Sequence, residues 1–275
     1  MLVDTHCHLD FFDLAADEAG VLARAHSAGV GRFLTISPRV RRKAPLQAIA
    51  GRHEDVFFAV GTHPHQAAEE AEVTMADIVA LSAHPRCVGI GEAGLDYHYD
   101  RSPRDVQQRV FRTNIAAART TDLPLVIHAR DADEDMIRIV SEEMGQGVFK
   151  VVLHCFTSTE GLARAGIDLG FGFFVSFSGV LTFKKSDELR RIATIVRADQ
   201  LLVETDAPYL SPEPYRGKRN EPAFVAETAK VLASIRGLSF DEISQRTTAN
   251  FHRLFGKAQA LGASRTAMAA VMPAE

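Results

Sequence analysis

The chain has 275 residues, 46% hydrophobic and 24% charged, the make-up of a globular protein with room for a sizeable core. Its net charge of −4 excludes the global basic field of many nucleic-acid binders, so a nucleic-acid ligand would have to be held by local cations or metal ions. Three cysteines without a Cys-x-x-Cys spacing (Cys7, Cys87, Cys155) argue for a reducing compartment; no apolar run spans a bilayer and no basic leader precedes the first one, so a cytoplasmic protein with no membrane partner is expected.

In chain order, short β-rich runs alternate with longer amphipathic segments. The expected strands are Leu2–Thr5, Arg32–Ile36, Val56–Val60, Cys87–Gly91, Leu125–Ile127, Val151–Leu153, Phe171–Val175 and Leu201–Val203. Helices are expected near 18–28, 43–53, 74–83, 103–121, 132–144, 160–169, 186–197 and 222–236, with an extra one over about 240–255. Most strand runs are apolar throughout, as parallel strands are when both faces are buried. Eight such units within roughly 250 residues predict an α/β chain closed into a (β/α)8 TIM barrel. An open doubly wound sheet is the competitor, weakened because no Gly-x-Gly-x-x-Gly follows the first strand. No linker or repeat interrupts the chain, which predicts one domain over 1–257 and a tail over 258–275.

The polar residues fall where such a barrel carries its chemistry, at the C-terminal strand ends. Strand 1 runs into His6 and His8, which share one face of an extended segment with Cys7 turned away. Strand 3 ends at Gly61-Thr62-His63-Pro64-His65, strand 4 at Glu92, strand 5 at His128 with Arg130 beyond it, strand 6 at His154, and strand 8 at Glu204-Thr205-Asp206. Six of the eleven histidines therefore lie at strand ends, which scattered surface histidines would not do. Each has a bland alternative: buried core imidazoles for His128 and His154, a turn cap for Asp206, loop chemistry for His63 and His65 around Pro64. Cys7 and Cys155 read as small buried hydrophobes.

Four imidazoles and two carboxylates suit a pair of divalent cations, Zn²⁺ or Mn²⁺ more naturally than Mg²⁺. Strands 1 and 8 adjoin when a barrel closes, so His6, His8 and Asp206 would hold one ion. His128 and His154 would hold the other, with Glu92 as the bridging carboxylate between ions about 3.5–4 Å apart.

These residues make the chain recognisable. It resembles the TatD family of metal-dependent hydrolases, known as deoxyribonucleases, through Asp4-Thr5-His6-Cys7-His8-Leu9-Asp10, Gly61-Thr62-His63-Pro64-His65 and Gly89-Ile90-Gly91-Glu92-Ala93-Gly94-Leu95-Asp96. Further matches are Pro124-Leu125-Val126-Ile127-His128-Ala129-Arg130, His154-Cys155-Phe156, Glu204-Thr205-Asp206-Ala207-Pro208-Tyr209-Leu210 and Tyr215-Arg216-Gly217-Lys218-Arg219-Asn220-Glu221-Pro222. The resemblance implies a TIM barrel with metal ligands His6, His8, Glu92, His128, His154 and Asp206, and hydrolysis of DNA phosphodiesters, often as a 3′→5′ exonuclease; some relatives act on other phosphoesters or on D-aminoacyl-tRNA.

The expected mechanism is metal-assisted phosphodiester hydrolysis, with Asp206 accepting the proton of the attacking water. His63 and His65 are expected to orient a phosphate or protonate the leaving group. Arg130, Arg216, Lys218 and Arg219 are expected phosphate contacts, although a solvated basic loop is the plainer reading of 216–219. An amidohydrolase-like enzyme acting on a carbonyl, or a non-catalytic metal-binding barrel, are the alternatives; a bridging lysine on strand 4 would mark the former, and that position is Glu92.

Overall fold

In the computed structural model, residues 1–170 and 172–261 are described. Eight parallel strands pair in strict chain order: β1 (Leu2–Cys7), β2 (Val30–Ser37), β3 (Val56–Val60), β4 (Cys87–Asp96), β5 (Leu125–Arg130), β6 (Val151–Leu153), β7 (Phe173–Phe177) and β8 (Leu201–Val203). A parallel bridge between Cys7 and Ala207 joins the chain after β8 to β1, and the Asp206 amide donates to the His6 carbonyl at 2.9 Å. The helices are α1 (Phe12–Ala15), α2 (Glu18–Ser27), α3 (Ala44–Arg52), α4 (Met75–Ser82), α5 (Arg104–Thr121), α6 (Asp133–Gln146), α7 (Glu160–Asp168), α8 (Asp187–Ile195), α9 (Val225–Arg236) and α10 (Phe240–Leu254). The expected (β/α)8 barrel is the observed architecture.

The apolar side chains divide into two layers. The second residues of β1 and β3–β8 (Val3, Phe57, Val88, Val126, Val152, Phe174 and Leu202) form an inner cluster with Leu34 and Ile36 of β2. Phe251, Leu254 and Phe255, from the end of α10 onward, complete this cluster and so close the N-terminal end of the barrel. The opposite strand faces pack against the surrounding helices in a second cluster that includes Phe33, Phe58, Ile127, Val203 and Leu232. Burial of these side chains drives closure at about 25 cal/mol per Å² of apolar surface.

Several strands run past their expected ends, β4 furthest, from Gly91 to Asp96. The expectation stopped where apolarity stopped, but ladder hydrogen bonding continues through the polar residues, all of them buried along β4. Two register slips matter. Four residues of β1, from Asp4 to Cys7, span three of β2, and four residues of β4, from Ile90 to Ala93, span three of β5. Such a bulge re-aims the side chains beyond it. Val3 accordingly faces the inner cluster while Cys7, an even number of residues on, packs in the outer one. Gly91 (φ +124°) lies within the β4 slip, and a Cβ there would come within 2.5 Å of the Val126 carbonyl oxygen. Gly94 (φ +153°) is tighter still, with the His128 carbonyl oxygen 1.9 Å from a Cβ. Backbone this close tolerates only glycine.

The expected helix over 222–236 is a 3₁₀ turn, Pro222–Phe224, followed by α9. The one-turn α1 was not foreseen. Phe171, where the seventh strand was expected to start, lies outside the described residues, as do 262–275 of the expected tail. Residues 256–261 are helical, and Ala258 is fully buried in the inner cluster.

Candidate metal centre

At the C-terminal end of the barrel the inner layer changes from rings of hydrocarbon to imidazoles and carboxylates. His6 and His8 (β1 and just beyond), His63 (after β3), Glu92 and Asp96 (β4), His128 (β5), His154 (after β6), and Glu204 and Asp206 (after β8) converge there. Three overlapping groups have ligand atoms within 4.8 Å of one another: His6, His8 and Asp206; His6, Glu92 and His154; His63, Glu92 and His128.

Glu92 is shared, and its two oxygens face different partners. Oε2 lies 3.4 Å from His6 Nε2. Oε1 lies 2.7 Å from His154 Nε2, 2.9 Å from His128 Nδ1 and 3.4 Å from His63 Nε2. Asp206 Oδ1 lies 3.5 Å from His8 Nε2 and 3.7 Å from His6 Nε2. The His6 and His154 rings stack with centroids 3.9 Å apart.

For each imidazole, the hydrogen bond made by one nitrogen decides what the other can offer. His8 Nδ1–H donates to the Ile36 carbonyl at 3.1 Å, which leaves a lone pair on Nε2 beside Asp206. His154 Nδ1 faces Glu204 at 3.3 Å, which turns Nε2 toward Glu92 as the atom that would bind an ion. His128 is reversed: Nε2–H donates to Asp96 at 3.2 Å, and Nδ1 faces the centre. His63 differs in kind. Its Nδ1 accepts the His65 amide at 3.1 Å, so in the neutral ring the proton sits on Nε2, pointed at Glu92. In the neutral ring His63 thus keeps its proton on the nitrogen that faces Glu92, whereas the inward nitrogens of His8, His128 and His154 would offer lone pairs where an ion takes the place of a proton. His65 Nε2 is bound to Asp96 at 2.8 Å and faces away from Glu92.

The residues present fit divalent metal ions. His6 is fully buried, and neither ring nitrogen has a hydrogen-bond partner among the described residues. An orphaned buried imidazole at the focus of two carboxylates costs free energy unless a cation accepts its lone pair.

Burial pushes the Glu92 carboxyl up, but the surrounding imidazoles, His154 foremost, together with the hydrogen bonds of His128 and His154, overcome it and hold Glu92 well below the usual carboxylate range. Asp206 is lowered by the same contest, with His8 and His6 opposing burial. Burial pushes the His63 imidazole down to about 4, which keeps it neutral near pH 7. Burial also pushes Asp4 up to about 8. Asp4 accepts from the Thr205 amide at 2.9 Å and hydroxyl at 2.6 Å, tying β1 to the segment that carries Asp206.

Three supporting carboxylates, Asp4, Asp96 and Glu204, were not singled out as site residues. Each occurs inside a motif that was: Asp-Thr-His-Cys-His, Gly-Leu-Asp and Glu-Thr-Asp. Their task, orienting an imidazole or a loop, leaves no spacing signal. Glu204 is fully buried and accepts the Cys155 amide at 2.6 Å as well as facing His154.

The expected phosphate contacts divide. Arg130 packs on Tyr99 at 4.8 Å and makes neither salt bridge nor side-chain hydrogen bond among the described residues. Arg216 stacks on Phe183 at 3.8 Å and donates to the Ser211 carbonyl. Arg219 donates to the Asp13 carbonyl and lies 3.6 Å from Glu221. Lys218 is exposed beside Tyr215. An open cleft of about 860 Å³ lies beside the β4, β5 and β6 loops, lined by Arg104 and Arg130 as well as by Asp131, Asp133, Glu134, Asp135 and Glu188, so that acidic groups outnumber cations in it.

The family model described as "TatD related DNase" matches residues 3–256. The chain is 40% identical over 258 residues to the uncharacterized metal-dependent hydrolase YabD of Bacillus subtilis, covering 93% of this chain and 99% of that one. It is 32% identical over 260 residues to a protein of Erwinia tasmaniensis named 3′-5′ ssDNA/RNA exonuclease TatD, covering 92% and 99%. Among solved structures, the TatD homolog YJJV of Escherichia coli superposes with a TM-score of 0.85 at 28% identity, covering 93% of this chain and 98% of that one.

Proposed function

The chain belongs to the TatD family of metal-dependent hydrolases, and from that premise we propose that it is a nuclease acting at the 3′ ends of single-stranded DNA through two divalent ions, Zn²⁺, Mn²⁺ or Mg²⁺. The observation that carries this reading is the division of Glu92: one oxygen faces the His6, His8, Asp206 side and the other faces His128 and His154, as a bridging carboxylate requires. His6, His8 and Asp206 would hold one ion and His128 and His154 the other.

Bound there, such ions supply an acidified water and neutralise charge on the phosphate. The side chains do the rest. Asp206 is the most open of the two central carboxylates, its side chain 15% exposed against 4% for Glu92, and it takes the proton of the attacking water. The neutral His63 ring presents Nε2–H beside the bridge, where it hydrogen-bonds a phosphate oxygen or the leaving 3′-oxygen and keeps its proton, while the 3′-oxygen takes a proton from solvent at the open mouth as the P–O bond breaks. Asp96 anchors His65 and His128 and keeps the His128 lone pair facing inward. Arg130 and Arg101 supply the cationic path that a chain of net charge −4 otherwise lacks. The free cysteines fit a reducing cytoplasm, and no helix among the described residues is long and apolar enough to cross a membrane.

The test is digestion of end-labelled single- and double-stranded DNA with each metal, alongside Glu92→Ala and Asp206→Ala. Metal-dependent shortening from the 3′ end, lost in both variants, is expected. Cleavage that survives both substitutions would overturn the site assignment.

A further inference from the structure

The mouth of the centre carries apolar surface that the fold does not use. Among the described residues, Tyr99, Tyr209 and Phe12 are three of only seven large hydrophobic side chains that are exposed, and all three stand at this rim. Tyr209, 53% exposed, lies edge-on to His8 at 6.4 Å and to Phe11 at 6.1 Å, and Phe11 itself stacks on His8 at 4.6 Å. Tyr99, 50% exposed, lies edge-on to His65 at 5.4 Å, on the side of the centre that holds Asp96 and His128. One open ring therefore flanks each side of the bridging Glu92.

The charges at the rim are just as distinctive. The Arg130 guanidinium lies 4.8 Å from the Tyr99 ring and that of Arg101 lies 5.4 Å from it. Neither makes a salt bridge or side-chain hydrogen bond among the described residues, unlike Arg216 and Arg219, whose donors are committed to the protein. The Arg101 charge also reaches the Tyr209 phenol. An exposed ring at Tyr209 and, at Tyr99, an exposed ring with two unpaired guanidinium groups over it, around a phosphodiester-cleaving centre, match one ligand chemistry: unstacked bases joined by a phosphate backbone, since bases stack on guanidinium planes as well as on rings.

We infer that Tyr209 and Tyr99 are base-stacking platforms on either side of the scissile phosphate, with Arg101 and Arg130 on the backbone, so that the enzyme takes a splayed, unpaired 3′ end with little regard to base identity. This inference rests on the nuclease reading and deepens it. A paired terminus cannot place successive bases on two rings that face different sides of the metal centre, and stacking tolerates any base because each has a π-face.

The experiment compares two single-stranded thymidine oligonucleotides with Mn²⁺, Zn²⁺ and Mg²⁺ in turn. One is intact, and in the other the last two 3′ nucleotides carry tetrahydrofuran in place of base. Wild type, Tyr99→Ala, Tyr209→Ala and the matching Tyr→Phe variants are assayed on both, with metal content and melting temperature recorded for each. Removal of either ring is expected to raise KM for the intact strand about tenfold at nearly constant kcat. On the abasic strand the Ala variants should match wild type, and the Phe variants should match wild type on both. Unchanged KM for the intact strand in both Ala variants overturns the inference and leaves the nuclease reading standing. An equal rise on both strands also overturns it, since the rings would then act on something other than bases. If wild type cuts neither strand with any of the three metals, the nuclease reading fails and this inference falls with it.

Discussion

The two ends of this barrel are built from the same eight strands by opposite rules. At the N-terminal end the interior is hydrocarbon, closed by Phe251 and Phe255 with ring centroids 4.9 Å apart. A few residues further along each strand the interior holds imidazoles and carboxylates at comparable burial, including a fully buried His6 with no hydrogen-bond partner among the described residues. The first arrangement is satisfied by packing alone. The second is satisfied only by a ligand, because buried polar groups cost free energy until something pairs with them. The floor thus holds the barrel together by packing while the mouth is built to take a cation, and changes at the two ends should fail in different ways.

The largest expected effect is at the mouth. Glu92→Gln keeps the shape but removes the charge shared by the two halves of the centre, and should lower kcat by about a thousandfold or more with only a small fall in melting temperature, since the amide keeps the volume and part of the hydrogen bonding. A large drop in melting temperature would show that Glu92 is structural. At the floor, Phe251→Ala should cost about 3–5 kcal/mol in urea unfolding, with metal stoichiometry of the folded fraction unchanged. A loss under 1 kcal/mol would mean that α10 is not the plug its packing indicates.

Between the two in character is Asp96→Asn. An amide nitrogen turned toward His128 Nε2 favours the other tautomer and takes the lone pair from Nδ1, so metal affinity measured by calorimetry should fall about 10- to 100-fold with stability nearly intact. Unaltered affinity would remove Asp96 from the site. The smallest effect is expected in the outer layer of helices. Glu143 on α6 binds Arg112 at 2.6 Å and Arg119 at 2.7 Å on α5; burial raises its carboxyl but the two guanidinium groups outweigh that and lower it. A carboxyl lowered on folding contributes stability that is present above its ordinary value and is lost as pH falls through the folded value. Glu143→Gln should therefore cost about 1 kcal/mol at pH 7 and progressively less toward about pH 3, as read from urea midpoints. A cost independent of pH would assign the effect to packing.

The barrel was legible because its evidence is local and repeated. Runs such as Val56–Val60 and Val151–Leu153 are apolar on both faces, and their observed bounds match expectation residue for residue. That His6, His8, Glu92, His128, His154 and Asp206 would come together was legible because each stands where apolarity breaks off after a strand. What was illegible has a common cause. Whether β4 ends at Gly91 or runs on to Asp96 depends on which neighbour accepts its backbone bonds, and polar residues inside a ladder look like a loop until the ladder is seen.

Composition and the periodicity of apolar runs determined eight units, their order and the strand ends that would carry chemistry, because burial of alternating segments is a property each segment states for itself. The roles within the centre were decided by tertiary structure alone. Which nitrogen of His8, His128 or His154 faces inward depends on Ile36, Asp96 and Glu204, residues 28, 32 and 50 positions away. That His63 offers a proton rather than a lone pair depends on the turn that points the His65 amide at its other nitrogen. A hydrogen bond with a distant partner leaves no trace in local sequence, and at this centre such bonds separate a ligand from a donor.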